Sequence, residues 1–184
     1  MPTVFTHAVV GLSAGLAVSN KISGKRLWVL SAICAVLPDA DVIGYRLGIP
    51  YSHFFGHRGF FHSICFAFLV GLATALIFFG KEGYFSKKWW YWWLYFSLLT
   101  ASHGILDAFT NGGLGIALLS PFDNERYFFW KTPILVSPIG ARAFFTKRGL
   151  AVLVNEIRWV WIPALILGGL GKFCLLRKRP AYNA

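Results

Sequence analysis

The sequence predicts an all-α fold: a polytopic membrane bundle of about five transmembrane helices with a long outer-side loop, re-entrant or lid-like. Three observations predict it. The 184 residues are 57% hydrophobic and 18% aromatic, with a mean hydropathy of +0.59, well beyond an ordinary soluble domain. Several apolar stretches approach the roughly 20 residues that cross a bilayer. Basic residues gather at the ends of those stretches, as positive-inside sorting requires. No Ser/Pro-rich linker or internal repeat divides the chain, so residues 1–184 are expected to form one integral membrane domain.

The elements follow in order. The first helix is expected over about Val4 to Asn20 and the second over about Leu27 to Tyr45. Pro38 removes a hydrogen bond late in the second helix and should bend or end it just before Asp39. The third is expected over about Phe60 to Gly80, the fourth over about Trp89 to Phe109 and the fifth over about Val152 to Leu170. The run Trp89-Trp90-Tyr91-Trp92-Trp93 reads as an interfacial aromatic belt opening the fourth helix. Ala17-Val18-Ser19 looks like a cleavage site, but no basic region precedes the apolar run. The first helix is therefore expected to be retained. The stretch 110–149, rich in Gly, Pro and aromatics, is too long for a simple turn and reads as a cover.

The net charge is +11. In a soluble protein that would suggest nucleic acid. Here the charge follows helix ends, so the expected partners are membrane lipids, anionic headgroups among them, and not nucleic acid. Lys21, Lys25 and Arg26, then Lys81, Lys87 and Lys88, then Lys172, Arg177, Lys178 and Arg179 fall in three short segments. Those segments should face the cytoplasm, with the N-terminus outside and the C-terminus inside. The cysteines Cys34, Cys65 and Cys174 lie in apolar runs without Cys-x-x-Cys spacing and read as free thiols.

Ionisable groups in apolar segments are expensive and tend to be functional. This chain has only seven acidic residues and five histidines. Three of the acids and four of the histidines form tight clusters: His7; Asp39 and Asp41; His57 and His62; His103 and Asp107. Helices alternate in direction, and the clusters fall at start, end, start and end of successive helices. All therefore share one leaflet, the outer one under the expected topology.

His103 and Asp107 are four apart, so a helix places them on one face, where both can reach one metal or simply bond each other. Asp39 and Asp41 would diverge on an α-helix but can face one pocket from a turn after Pro38. Their plainer role is helix-end capping. Carboxylates held close repel unless a cation lies between them, which favours a metal. Gly59 permits a sharp path that turns His57 and His62 inward. Ser63 can cap the third helix or order a ligand. Arg58 can fork a phosphate or anchor a headgroup. His53 has no spacing partner and ranks below the rest. Seven donors, His7, Asp39, Asp41, His57, His62, His103 and Asp107, exceed the four of one tetrahedral zinc and suit two divalent ions. Mixed nitrogen and oxygen donors suit zinc, with manganese or iron as alternatives.

The pattern resembles the YdjM-like inner-membrane family of metal-dependent hydrolases, also described as a LexA-regulated membrane protein family. The resemblance rests on Thr6-His7, Leu37-Pro38-Asp39-Ala40-Asp41, His57-Arg58-Gly59-Phe60-Phe61-His62-Ser63 and Ser102-His103-Gly104-Ile105-Leu106-Asp107. Asn111-Gly112-Gly113, Arg126-Tyr127-Phe128-Phe129, Ser137-Pro138-Ile139-Gly140 and Arg148-Gly149-Leu150 with Glu156 extend it over most of the chain. The chain departs from the pattern after the Arg126 run, with Trp130 and then Pro133. The resemblance implies a multi-pass inner-membrane protein, a metal-dependent hydrolase activity and a distant likeness to zinc-dependent phospholipase C enzymes.

The expected function is therefore membrane-bound, metal-dependent hydrolysis of a phosphoester or phospholipid-like substrate. Metal-activated water would attack, Arg58 or Arg126 would neutralise the phosphate, and an aspartate such as Asp39 would act as base. The alternative is a non-enzymatic membrane protein with a structural metal and a regulatory or partner-binding role. An ion carrier is disfavoured, because the clusters stay in one leaflet and a pathway needs groups through the full depth.

Overall fold

The computed structural model describes residues 1–19, 24–138 and 141–177. Among the described residues, five helical rods make up the bundle. The first is α1 (Val4–Val18). The second runs through α2 (Gly24–Val36), a 3-10 segment (Leu37–Val42) and α3 (Ile43–Arg46) without leaving the helical path. The third is α4 (Ile64–Phe79) with a 3-10 turn at Gly80–Glu82. The fourth is α5 (Lys87–Ala108). After a short turn, α6 (Ala141–Phe144), the fifth joins α7 (Lys147–Glu156), a π segment (Ile157–Trp161) and α8 (Ile162–Arg177). Among the described residues there is no β-strand, only two isolated bridges.

Three of the rods, Gly24–Arg46, Ile64–Glu82 and Lys147–Arg177, are long and apolar enough to cross a membrane. α1 is apolar but shorter, and α5 has 22 residues weighted with Trp and Tyr. Apolar side chains face outward, Ile77 and Leu167 being 71% and 68% exposed, as expected where the solvent is hydrocarbon. Helix pairing therefore relies on close backbone approach, and small residues supply it. α1 packs on α2 and α8, and α4 packs on α5. A Cβ at Gly11 would lie 2.6 Å from the Ser31 carbonyl oxygen, and one at Gly168 would lie 2.7 Å from that of Ser13. Larger side chains there would pry the helices apart.

Several boundaries differ from expectation for local reasons. Pro38 does not end the second helix; it opens the 3-10 segment, and the rod continues to Arg46. The third helix begins later than Phe60, because Phe60–His62 form a separate 3-10 turn and the Ser63 hydroxyl caps α4 by accepting from Phe66 N at 3.1 Å. The aromatic run is only partly an interfacial belt. Trp89 is fully buried and donates to the Ala75 carbonyl at 3.1 Å, while Trp92 stacks on Phe79. The Trp92 and Phe79 rings pack against a core of Leu27, Leu30, Cys34, Val70 and Phe96. The three cysteines are free. Asn20, Lys21, Ile139, Gly140, Lys178 and Arg179 lie outside the described residues.

The long loop after α5 is folded. Ile116 and Tyr127 exchange backbone hydrogen bonds at 2.9 and 3.0 Å. Leu135 N donates to Asn155 Oδ1 at 2.8 Å and Asn155 Nδ2 donates to the Pro133 carbonyl at 3.1 Å, which ties the loop to α7. Ala117 N donates to the Arg58 carbonyl at 3.1 Å and Ile64 N to that of Leu118 at 3.0 Å. The loop is thereby fastened over the end of the bundle where the histidines and aspartates lie.

Candidate metal centre

The 3-10 segment decides how two aspartates two residues apart reach one interior. At three residues per turn, such positions stand about 120° apart, against about 160° on an α-helix. Pro38 at the segment's start favours this winding. Asp39 and Asp41 are both buried, while Leu37 and Ala40, three apart and therefore aligned, face outward.

His103 and Asp107 follow from helical spacing on α5 and are fully buried. The His103 Nδ1 lies 2.8 Å from the Ala35 carbonyl, which fixes a proton on Nδ1 and leaves the Nε2 lone pair facing inward. Gly104 lets the next strand of chain settle on α5: a Cβ there would collide with the His62 carbonyl oxygen.

The segment between the second and third rods delivers His57, Arg58 and His62. Arg58 adopts φ 66°, an unusual left-handed conformation for a large residue. Its guanidinium is 1% exposed. Nε lies 3.3 Å from Asp107 Oδ2, Nη1 donates to the Gly112 carbonyl at 2.6 Å and Nη2 donates to Thr110 Oγ1 at 2.9 Å. Arg126 braces the same segment from the loop, donating to the carbonyls of His57 and Tyr51 at 2.8 Å each. Tyr51 stacks on the His57 ring at 5.5 Å between centroids. Burial raises the Tyr51 phenol above its ordinary pKa, so it meets His57 as a neutral ring.

Asp41 organises this segment. Its carboxylate lies 2.7 Å from His57 Nδ1 and 3.1 Å from His62 Nδ1, and accepts from Arg58 N at 3.2 Å. His62 is thus turned so that Nε2 points towards Asp39, His103 and Asp107. Those separations are 3.7 Å to Asp39 Oδ1, 3.2 Å to His103 Nε2 and 3.6 Å to Asp107 Oδ2. His103 Nε2 is 3.3 Å from Asp39 Oδ1.

His7 enters from α1, stacked on His103 with centroids 3.6 Å apart and Nε2 3.4 Å from Asp107 Oδ1. Its helix is anchored by a buried carboxylate on α7. Glu156 accepts from Thr3 N, Thr3 Oγ1 and Thr6 Oγ1, each at 2.6 Å. Trp161 Nε1 adds a bond to Thr6 Oγ1 at 2.6 Å.

The donors fit a divalent cation. His7 Nε2 and both oxygens of Asp39 are buried without a hydrogen-bond partner, and the Asp107 oxygens have only ion-pair contacts, at 3.3 Å to Arg58 Nε and 3.4 Å to His7 Nε2, which is costly unless a further charge satisfies them. Bonds of about 2.0–2.2 Å in a tetrahedron put neighbouring donors about 3.3–3.6 Å apart. The triangle of His62 Nε2, His103 Nε2 and Asp39 Oδ1 has sides of 3.2, 3.3 and 3.7 Å. Ligand atoms of His7, His103 and Asp107 lie within 4.8 Å of one another, as do those of Asp39, His57 and His62.

Comparison with known proteins is decisive on ancestry. The description of the matching family is "YdjM inner membrane protein", and the match covers residues 1–181. The chain belongs to this family. It is also 40% identical over 170 residues to the "Inner membrane protein YbcI" of Escherichia coli (strain K12), covering 92% of this chain and 96% of the relative. No solved structure matches it. The spans and the family together make this a protein of the inner membrane.

Within this YdjM-family chain the structure brings together all seven sequence-derived donors. It also separates them by surroundings. Asp39, His62, His103, Asp107 and His7 face one another, whereas Asp41 hydrogen-bonds His57 and lies at ion-pair distance from His62 Nδ1 from behind. His53 stays out in a turn, its Nδ1 accepting from Phe55 N at 3.2 Å. Arg58 and Arg126 are engaged with Asp107 and with backbone carbonyls. Sequence reasoning missed the Ala35 carbonyl, Thr110 and the Glu156–Thr3–Thr6 knot. An acidic residue inside an apolar helix was the available signal for Glu156. The other two contacts carry none, since a backbone carbonyl and a lone threonine look alike anywhere.

Proposed function

We propose that the protein is a membrane-bound metal-dependent hydrolase acting on a phosphoester, phospholipid-like substrate. The observation that carries this reading is the buried triangle of His62, His103 and Asp39, with Asp107 3.6 Å from its His62 corner. Bound there, a divalent cation, zinc by donor chemistry, would supply Lewis acidity and an activated water. Seven donors exceed the needs of one ion and suit two. Asp41 holds His62 in place through Nδ1, and the Ala35 carbonyl does the same for His103. Asp39 Oδ2 has no hydrogen-bond partner and is the oxygen available to take a proton from attacking water. Arg58 acts as a positioning residue for Asp107, and Arg126 for His57. With the N-terminus outside, the site lies at the outer-leaflet end of the bundle.

A second reading is a structural metal with a regulatory or partner-binding role. Its support is depth: His103 and Asp107 are 0% exposed, and the Arg58 fork is consumed by the protein itself. Elemental analysis of gently extracted protein, followed by a phosphoester and phospholipid hydrolysis panel, separates the two. Metal with turnover is the expected result. Metal without turnover on any phosphoester favours the structural role. Protein that refuses zinc, manganese and iron ends both.

A further inference from the structure

Two apolar grooves flank the 3-10 segment. One, of about 550 Å³, lies between Ile43, Leu47, Phe61 and Phe66 and reaches Asp41. The other, of about 520 Å³, lies between Val4, Ile33 and Val36 and reaches Asp39. Leu37 and Ala40 line both. Three residues per turn account for this arrangement. Leu37 and Ala40 align into one outward ridge, and Asp41 and Asp39 sit about a third of a turn to either side of it. Each groove thus begins on the lipid-facing surface of the Gly24–Arg46 span and ends at a different carboxylate of the cluster.

We propose that this segment is a saddle for a diacyl glycerophospholipid, one acyl chain in each groove and the phosphoester held at the histidine–aspartate cluster. The proposal rests on the hydrolase reading for the role of the cluster, and it names the substrate class. Three features select the occupant. The grooves are continuous with the bilayer-facing surface, where the surrounding medium is acyl chains. Both volumes fall within the roughly 300–1,000 Å³ of ligand cavities, yet each offers one polar group, at its inner end. A single-chain lipid would need one groove, and a soluble phosphoester would need neither. Two grooves of similar size, parted by a ridge one side chain wide, match two chains joined at a glycerol.

The test uses phosphatidylglycerol carrying a photoreactive diazirine in one acyl chain or the other, in phosphatidylcholine nanodiscs with the full-length protein. Crosslinked peptides are mapped by mass spectrometry, and metal content is measured on the same samples. Crosslinks should concentrate on the Ile43–Leu47 and Ala32–Val36 walls. Ala40→Trp, which enlarges the exposed ridge, should lose both sets. Gly44→Leu should lose only the first, since a Cβ there meets Ile49 at an ordinary 3.5 Å and the side chain fills that groove. Unchanged metal content shows that either variant has folded. The one-chain lysolipid probe should crosslink more weakly than the diacyl probe. Crosslinks confined to one groove, or spread evenly over all lipid-facing helices, overturn the saddle. Metal-loaded protein with evenly spread crosslinks sinks the saddle and spares the hydrolase reading. Metal-free protein crosslinked in both grooves does the reverse.

Discussion

His62 and His103 face each other through their Nε2 atoms at 3.2 Å. The other nitrogen of each ring is already directed elsewhere, His62 Nδ1 to Asp41 at 3.1 Å and His103 Nδ1 to the Ala35 carbonyl at 2.8 Å. With protons on both Nδ1 atoms, two lone pairs point at one another in a buried site. That arrangement is repulsive unless a cation lies between them or one ring carries a second proton.

The two cases differ in their response to chelation. A bound metal stabilises the folded state by mass action, by about 2.7 kcal/mol when the free ion is at 100 times its dissociation constant. Chelator should therefore lower the thermal midpoint of the wild-type protein in detergent. It should not lower that of His62→Ala or Asp107→Ala, which begin with less metal. Cys65→Ser, altering a thiol with no partner in the cluster, should behave like wild type. An unchanged wild-type midpoint after chelation assigns the pair to a shared proton.

Gly104→Ala should destabilise by about 1–3 kcal/mol, the usual cost of overpacking. The added methyl would collide with the His62 carbonyl and push that histidine off α5. Denaturant midpoints in mixed micelles give the stability, and elemental analysis gives the accompanying loss of metal. Full stability and full metal content in the variant would show that the contact is not close.

Glu156→Ala should cost about 2–4 kcal/mol, because hydrogen bonds to charged groups contribute about 1.5–3 kcal/mol each and buried donors are left unpaired. Removing Thr6 Oγ1 as well, in a Glu156→Ala/Thr6→Val double variant, should cost less than the sum of the single changes. Additive costs would mean that the carboxylate and the hydroxyl are not coupled. Since this knot holds the start of α1, the single variant should also loosen His7 from Asp107 and reduce metal content.

The distribution of lysine and arginine predicts the N-terminus outside and the C-terminus inside. An alkaline phosphatase fusion after Lys178 should be inactive, and an insertion near Tyr51 should be active. The opposite pattern would place the cluster on the cytoplasmic side and exchange envelope lipids for cytosolic-leaflet ones, leaving the shared end of the bundle intact.

Helix number, order and the common end of the clusters were legible in the sequence because they depend on local quantities: apolar length, helix alternation and the four-residue spacing of His103 and Asp107. The same locality explains the errors. A helix start at Phe60 follows from hydropathy alone; Ser63 was readable as a cap, but only the backbone shows Phe60–His62 as a separate turn, so that this cap sets the true start. Trp89 belongs to the pattern of an interfacial belt, but packing against Ala75 makes it core.

By itself the sequence determined that this is a helical membrane protein whose scarce acids and histidines meet at one end. The bilayer makes every such group expensive, so their placement is informative without coordinates. Only the tertiary structure decided what each does there. Asp39 and Asp41 differ by two positions, yet one faces His62 and His103 while the other holds His57 and His62 from behind. Arg58, which on its spacing suits a phosphate, is instead closed around Asp107, Gly112 and Thr110. Those partners lie some fifty residues away in the chain, and long-range pairing of buried charge leaves no periodic trace in a sequence.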